Sequence, residues 1–294
     1  MITSQPPAPS ITNTVALIVS YHPDPEFKRR LAALSSQFTA VFWVDNTAYT
    51  SADPLLNTDN ALHYFPQDSN IGLAAALNVG CDSALRAGFE WVITFDQDSN
   101  LAAEFLEQHI ACWKKSELHP FILGCNYFDS VSRDFPRFKE GAYVRTCPTV
   151  ITSGCLMFLP LWKELGMFSA DYFIDGVDHE ICLRARAKGL VVARHGRVLM
   201  RHQIGDKTTV CSFLPYPHQA LRMYYITRNG ISNIRRYWAT DPLWVLRKML
   251  SLCWELLALL LLESDRKLKT KAIRRGFSDA LKGTLGRAPE DFSA

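Results

Sequence analysis

Two acidic clusters carry most of the chemistry that can be read from this chain of 294 residues. In Phe95-Asp96-Gln97-Asp98-Ser99 two carboxylates stand one residue apart. Side chains so spaced can converge on one hard divalent cation, Mg²⁺ or Mn²⁺, which prefers oxygen ligands and completes its shell with substrate phosphates and water. A solvated turn whose Asp98 or Ser99 caps a helix would have the same sequence. The second cluster, Asp175-Gly176-Val177-Asp178-His179-Glu180, gathers four ionisable side chains at the start of an apolar-faced helix. The dipole at that helix end favours carboxylates, a sufficient structural reason for some of them. One that also faced a pocket could take a proton from a substrate hydroxyl as general base. Arg184 and Arg186 follow, as structural partners of these carboxylates or as phosphate contacts. A third segment, Asn70-Ile71-Gly72 with Asn78 and Gly80 behind it, offers a glycine that lets backbone approach a ligand and a helix N-terminus that favours phosphate. Taken alone, the segment reads better as a tight loop followed by a close-packed Ala-rich helix.

The elements that must position these residues alternate. Val15–Ser20 is a short apolar run that reads as a strand buried on both faces, and Ala40–Val44 and Trp91–Phe95 read likewise. Glu26–Gln37 and Gly72–Ala87 have helical composition and spacing, the second closed by Gly88. Strand, helix, strand, helix, strand implies right-handed crossovers and a mainly parallel α/β sheet. Asp45 and Asp96/Asp98 then fall at strand carboxyl ends, where open α/β sheets bind ligands. Further on, Phe121–Cys125, Val150–Thr152 and Val191–Ala193 are predicted strands, and Ile181–Lys188 is a predicted helix. From Pro217 the pattern is helical: His218–Tyr237, Leu243–Leu262 and Lys267–Lys282.

Charge separates the chain into two parts. Thirty-two Lys+Arg stand against 29 Asp+Glu, but ten basic and four acidic residues lie between Arg247 and Arg287. The rest carries 22 basic and 25 acidic residues, which excludes a nucleic-acid binder that must meet phosphates along its length. The eight cysteines form no C-x-x-C pair and mostly sit in apolar runs, the pattern of reduced buried thiols. His63, His109, His119, His195 and His218 have no spacing that suggests a metal site. Met1 to Asn13 lacks the charged start and apolar core of a signal peptide, so a cytoplasmic location is expected.

Taken together, Tyr21, Asp45, the N-x-G segment, DQD and FIDGVDHEICLRARAKG resemble the family 2 inverting glycosyltransferases. The likeness is greatest to the bacterial rhamnosyltransferase branch. FDQDS, ITSG at Ile151–Gly154, F-I-D-x-V-D-x-E, H-x-x-G-D at His202–Asp206 and Y-x-x-T-R-N at Tyr224–Asn229 occur in family order, over roughly Val15 to Arg236. The resemblance implies the GT-A nucleotide-diphospho-sugar transferase fold and a dTDP-L-rhamnose donor. It implies that Asp45 binds the nucleotide base with Tyr21 nearby, and that Asn70, Gly72, Asn78 and Asp96 lie on the donor. Asp98, with Asp96 and His202, would hold Mg²⁺ or Mn²⁺ against the diphosphate. Asp178 aligns with the catalytic base, while Ser153, Gly154, Glu180 and Arg228 fall at acceptor-binding or supporting positions. Two departures stand out: Val177 replaces an acidic residue common in the wider family, and His22 follows Tyr21 where Asn is usual.

The expected organisation is a flexible N-terminus over 1–13, a catalytic domain over 14–240 and an amphipathic, basic helical region over 241–294. Met249–Leu262 has a single charge, Glu255, but is too short to span a bilayer. Arg247, Ser251, Glu255 and Ala258 form a narrow polar stripe on a helix otherwise apolar, Trp244 and Trp254 included. The basic run after Arg266 suggests a helix lying in the plane of an anionic membrane, at the inner face of the cell membrane. A buried helix or a homo-oligomer interface would read alike. The acceptor expected is a lipid-linked or growing cell-surface saccharide. A transferase using a UDP-hexose remains open at this point. So do a nucleotidyltransferase, which lacks the expected glycine-rich phosphate loop here, and a catalytically silent sugar-nucleotide-binding module.

Overall fold

The computed structural model describes residues 6–48, 61–129, 136–202, 220–262 and 266–289. Nine strands among them form one sheet: β1 Thr14–Ser20, β2 Val41–Asp45, β3 Leu62–Pro66, β4 Trp91–Asp96, β5 Asn100–Leu101, β6 Ile122–Asp129, β7 Val144–Thr146, β8 Cys155–Phe158 and β9 Val192–His202. Their order is β3-β2-β1-β4-β8-β6-β9-β5, with β7 on β9. The expected parallel sheet is found in β3, β2, β1 and β4 and in the β6–β9 pair. Strand β8 runs antiparallel between β4 and β6 and joins the two parallel blocks.

The helices are α1 Phe27–Ser35, α2 Leu73–Arg86, α3 Phe105–Lys114, α4 Leu159–Glu164, α5 Val177–Ala187, α6 Ala220–Tyr237, α7 Pro242–Leu262 and α8 Arg266–Lys282. All seven residues of β1 are buried, as an unbroken aliphatic run between two helical layers must be. Tryptophans 43, 91 and 162 and phenylalanines 42, 95 and 105 fill the main core with the aliphatic strands.

Two local expectations change, and one strand is new. Val150–Thr152 is not a strand: the Thr94 hydroxyl donates to the Thr152 carbonyl at 2.5 Å, and a turn at Gly154 (φ 69°) sends the chain into β8 instead. Leu62–Pro66 is an edge strand, too mixed in burial to show a clean alternation. Residues 7–13 are held in place: Trp91 Nε1 donates to the Pro7 carbonyl, and Asn13 Nδ2 donates to Glu90.

The C-terminal helices pack on the body of the protein. Gly276 of α8 meets α6 so closely that a Cβ there would stand 2.6 Å from the Tyr224 carbonyl. Trp244 and Val245 of α7 are buried with Leu183 and Tyr237, so Trp244 faces inward and not onto the outer apolar face. Leu243, Leu246, Leu250, Trp254 and Leu257 are exposed on the opposite side of α7. Among the described residues, no helix is long and apolar enough to cross a membrane.

Candidate active site

The parallel register puts a row of polar groups on the carboxyl rim. Ser20 of β1 pairs with Asp45 of β2, and Val19 pairs with Asp96 of β4. Buried Ser20 accepts a hydrogen bond from Trp43 Nε1 at 2.9 Å and donates to Asp45 Oδ1 at 2.8 Å, which fixes that carboxylate. Tyr64 of β3 donates to the other oxygen, Oδ2, at 3.3 Å. The exposed Tyr21 leaves β1 with its N–H donated to Gln97 Oε1 at 2.7 Å.

The DQD turn is held from below. Arg30 of α1 donates to Asp24 at 2.7 and 3.0 Å and to the Gln97 carbonyl at 3.1 Å. The Asp24 carboxylate raises the Arg30 pKa, and the guanidinium lowers that of Asp24. On the other side, Ser99 and Ser153 share a 2.5 Å hydroxyl contact, and the Asp96 N–H points to Ser153 Oγ at 3.4 Å. Gly154 donates to the Thr94 carbonyl at 2.8 Å. The Ile151–Gly154 segment therefore joins the DQD turn to the second acidic cluster, because Thr94, Ile151 and Thr152 line one small cleft with Asp178.

Asp178 stands in the first turn of α5, behind a loop of unusual backbone. Phe173 has φ 62° and ψ −67°, and the Ile174 N–H closes a tight turn onto the Tyr172 carbonyl at 2.7 Å. Asp175 and Gly176 follow with φ 62° and 74°. Such conformations in non-glycine residues cost on the order of 1–3 kcal/mol each and persist only where surroundings fix them. Here the surroundings do so twice. From α2, the Leu73 N–H donates to the Phe173 carbonyl at 2.6 Å, and Ala74 does so at 3.4 Å. From α6, Asn229 Nδ2 reaches the carbonyls of Tyr172, Ile174 and Asp175 at 3.0, 2.8 and 2.7 Å.

This packing alters several expectations. The N-terminus of α2 is occupied by the Phe173 carbonyl and does not point to a free phosphate site. Gly72 is there for the same contact, since a Cβ on it would lie 2.7 Å from the Phe173 ring. Asn70 Oδ1 accepts from the Gly72 N–H at 2.9 Å, and Asn78 braces the Phe168 backbone through both amide atoms at 2.9 Å. These bonds give both side chains a part in shaping the local backbone. Glu180 is fully buried and accepts from Arg184, Arg236 and Tyr237 at 2.8, 3.1 and 3.0 Å, a structural hub. Arg184 also donates to the Leu165 and Met167 carbonyls, and Arg186 pairs with Asp241, so neither contacts the rim. Arg228 is fully buried among backbone carbonyls. Burial raises the Asp175 pKa against the pull of Arg222, and burial lowers that of His179, which packs on Trp244.

A divalent ion suits the donors gathered near Asp98. Asp96 and Asp98 would supply hard oxygen ligands, and β5 pairs Asn100 with Arg201, so the backbone of His202 arrives one residue further, beside Ser99. The His202 side chain, like Asp206, lies outside the described residues. Among those residues no group of three or more His, Cys, Asp or Glu could hold a metal. A groove of about 630 Å³ lies between α3 and Arg197 of β9 and includes none of Asp45, Asp96, Asp98 and Asp178.

The dTDP-rhamnosyl transferase RfbF of Shigella flexneri is 30% identical to this chain over 244 residues, covering 76% of this chain and 81% of that protein. The chain belongs to the bacterial dTDP-rhamnosyltransferase family. No family model matches the sequence. Among solved structures, residues 1–349 of TarS from S. aureus superpose with a TM-score of 0.51 at 14% identity, covering 92% of both chains. GalNAc-T7, solved with UDP, GalNAc and Mn²⁺, gives a TM-score of 0.57 at 11% identity over 92% of this chain and 56% of that one. These are glycosyltransferases of the GT-A kind, and this rhamnosyltransferase-family enzyme has their fold.

Four residues that brace the candidate site were given no such role from the sequence: Ser20, Arg30, Ser99 and Asn229. Arg30 had one available signal, since it falls three residues after Phe27, on the inward face of α1. Asn229 lay within the Y-x-x-T-R-N motif, but its contacts are with a loop more than fifty residues away.

Proposed function

We propose that this enzyme transfers L-rhamnose from dTDP-L-rhamnose to a saccharide hydroxyl, with inversion, at a lipid-linked or growing cell-surface acceptor. The relationship to RfbF and the meeting of both acidic clusters at the Ile151–Gly154 segment support this reading. Asp45 accepts a hydrogen bond from the nucleotide base, oriented by Ser20 and Tyr64. Asp98 and Asp96, with His202, would hold Mg²⁺ or Mn²⁺, which when bound would supply Lewis-acid stabilisation of the departing diphosphate. Asp178 takes the acceptor proton from the face opposite the leaving group, so that one displacement inverts the anomeric carbon. Asp178 shares a small cleft with Thr94, Val150 and Ile151.

The exposed stripe Leu243, Leu246, Leu250, Trp254 and Leu257 on α7, with the basic residues of α8, supports docking on an anionic membrane that presents a lipid-linked acceptor. Leu250→Glu with Trp254→Glu should abolish co-sedimentation with phosphatidylglycerol vesicles while leaving transfer to a soluble acceptor intact. Unchanged sedimentation would remove the membrane from the reading. The chemistry is tested by a donor-by-acceptor panel with Mg²⁺, Mn²⁺ and EDTA. Turnover is expected with dTDP-L-rhamnose and metal only; equal turnover with UDP-hexoses, or in EDTA, would overturn donor or metal.

A further inference from the structure

We infer that Arg228 and Asn229 of α6, together with the segment after α8, are positioning residues for Asp178; this rests on Asp178 being the base. Both side chains are fully buried, and their hydrogen bonds end on the loop that carries the base or on a group that braces it. Asn229 Nδ2 shares its two hydrogens among the carbonyls of Tyr172, Ile174 and Asp175, at 3.0, 2.8 and 2.7 Å. Those carbonyls flank the three positive-φ residues, so the amide fixes the strained conformation itself. Arg228 Nε donates to Asn229 Oδ1 at 2.9 Å, which orients the amide with both N–H groups toward the loop. Its Nη2 donates to the Asp171 and Tyr172 carbonyls at 3.2 and 3.1 Å, and its Nη1 to the Gly286 carbonyl at 2.6 Å. Gly286 in turn donates its N–H to the Asp171 carbonyl at 2.6 Å. One turn further along α6, Asn233 accepts from the Tyr172 hydroxyl at 2.7 Å and reaches the Gly176 carbonyl at 3.4 Å. The clamp thus spans Asp171 to Gly176, and α5 begins at the next residue.

A guanidinium buried this deeply is an expensive way to gain stability, since apolar residues of similar size fill such space as well. Its donors go to the Asp171, Tyr172 and Gly286 carbonyls, which ties the strained loop to the segment after α8. Misplacing a reacting group by about 1 Å costs on the order of 10²-fold in rate. Loss of the clamp should therefore appear in kcat rather than in donor binding, because the rim that holds the donor is built from β1, β2 and β4.

The experiment is a cycle of Asn229→Ser and Asp178→Asn, with melting temperature and donor binding by calorimetry followed in parallel. In the wild-type background Asn229→Ser should lower kcat about 10²-fold and leave the donor Kd within about twofold. In the Asp178→Asn background it should have almost no further effect, because two residues that act through one group do not add. Arg228→Lys, which keeps the charge and loses the fork, should fall between, and it supplies the test if Asn229→Ser does not fold. A kcat within about threefold of wild type, a parallel loss of donor binding, or a full repeat of the loss beside Asp178→Asn would overturn the clamp. Wild-type turnover by Asp178→Asn alone would instead overturn the assignment of the base.

Discussion

Asp45 and Asp96 end two parallel strands that flank β1, whereas Asp178 follows a loop with positive φ at Phe173, Asp175 and Gly176. On the rim, each carboxylate is placed by regular elements whose sequence pattern already determines where they end. In the loop, the backbone takes conformations that its own residues disfavour, and distant elements impose them. The rim can therefore tolerate much local change without losing its geometry. The loop cannot, because its shape depends on α2, α6 and the chain after α8 together. If the rim binds the donor and Asp178 removes the proton, as proposed, the two functions are separately built, and substitutions should separate them.

The largest separation is expected between Asp178→Asn and Asp98→Ala. Asp178→Asn should lower kcat by about 10²–10⁴-fold, the usual worth of a general base, with donor affinity preserved. Asp98→Ala should instead remove metal-dependent donor binding in calorimetry. Turnover unchanged in the first, or metal-dependent binding intact in the second, would refute the respective role.

That contrast also accounts for what was legible in the sequence. Val15–Ser20, Ala40–Val44 and Trp91–Phe95 are apolar runs that end at or just before polar residues and alternate with helices, so β1, β2 and β4 and the acidic rim at their ends follow from the sequence pattern. The FIDGVDHE segment was visible as a cluster, but nothing in it signalled γ-turn geometry at Phe173. Gly72 read as room for a ligand, because a glycine shows that something must come close without showing what. Asn78 and Glu180 were visible as polar residues, and burial against partners in other elements decided their structural roles. Long-range hydrogen bonds are not encoded in spacing, and the β8 crossover and the clamp from α6 depend on them.

Acid tests the other block of the sheet. His195 of β9 donates or accepts at 2.9 Å with His109 of α3, both fully buried. Burial pushes His109 down from 6.5 to about 4 and moves His195 in the same direction. Both are neutral in the fold and take up protons on unfolding below their ordinary value. Their stabilisation is thus complete above about pH 6.5 and is lost as pH falls toward 4, by about 3 kcal/mol for His109 alone. Urea denaturation from pH 7 to 4 should show this loss, with a shallower slope in His109→Gln. An equal slope in the variant would show that other groups carry the acid response.

A smaller effect should come from two glycines at opposite ends of α2. Gly72 and Gly88 have φ of 87° and 90°, so alanine is strained at either. Only at Gly72 does a Cβ meet protein, 2.7 Å from the Phe173 ring and 2.9 Å from its carbonyl; around Gly88 it meets nothing within 4 Å. Gly72→Ala should therefore cost about 1–3 kcal/mol more than Gly88→Ala and lower kcat as well. Equal melting temperatures and equal kcat in the two variants would mean that the contact with Phe173 does not set the loop.

The smallest effects belong to the rim. Ser20→Ala removes the hydroxyl that accepts from Trp43 Nε1 and donates to Asp45, leaving a buried indole N–H without its partner at a cost of about 1–3 kcal/mol. Tyr64→Phe loses only a 3.3 Å contact to a half-buried carboxylate, worth about 0.5–1.5 kcal/mol. Both should raise the donor KM, Ser20→Ala more than Tyr64→Phe, and both should leave kcat at the wild-type value. The two variants differ from Asn229→Ser in which constant moves, not merely in how far. A fall in kcat from Ser20→Ala, with KM unchanged, would mean that rim and loop are mechanically coupled through β1 and that their apparent independence is wrong.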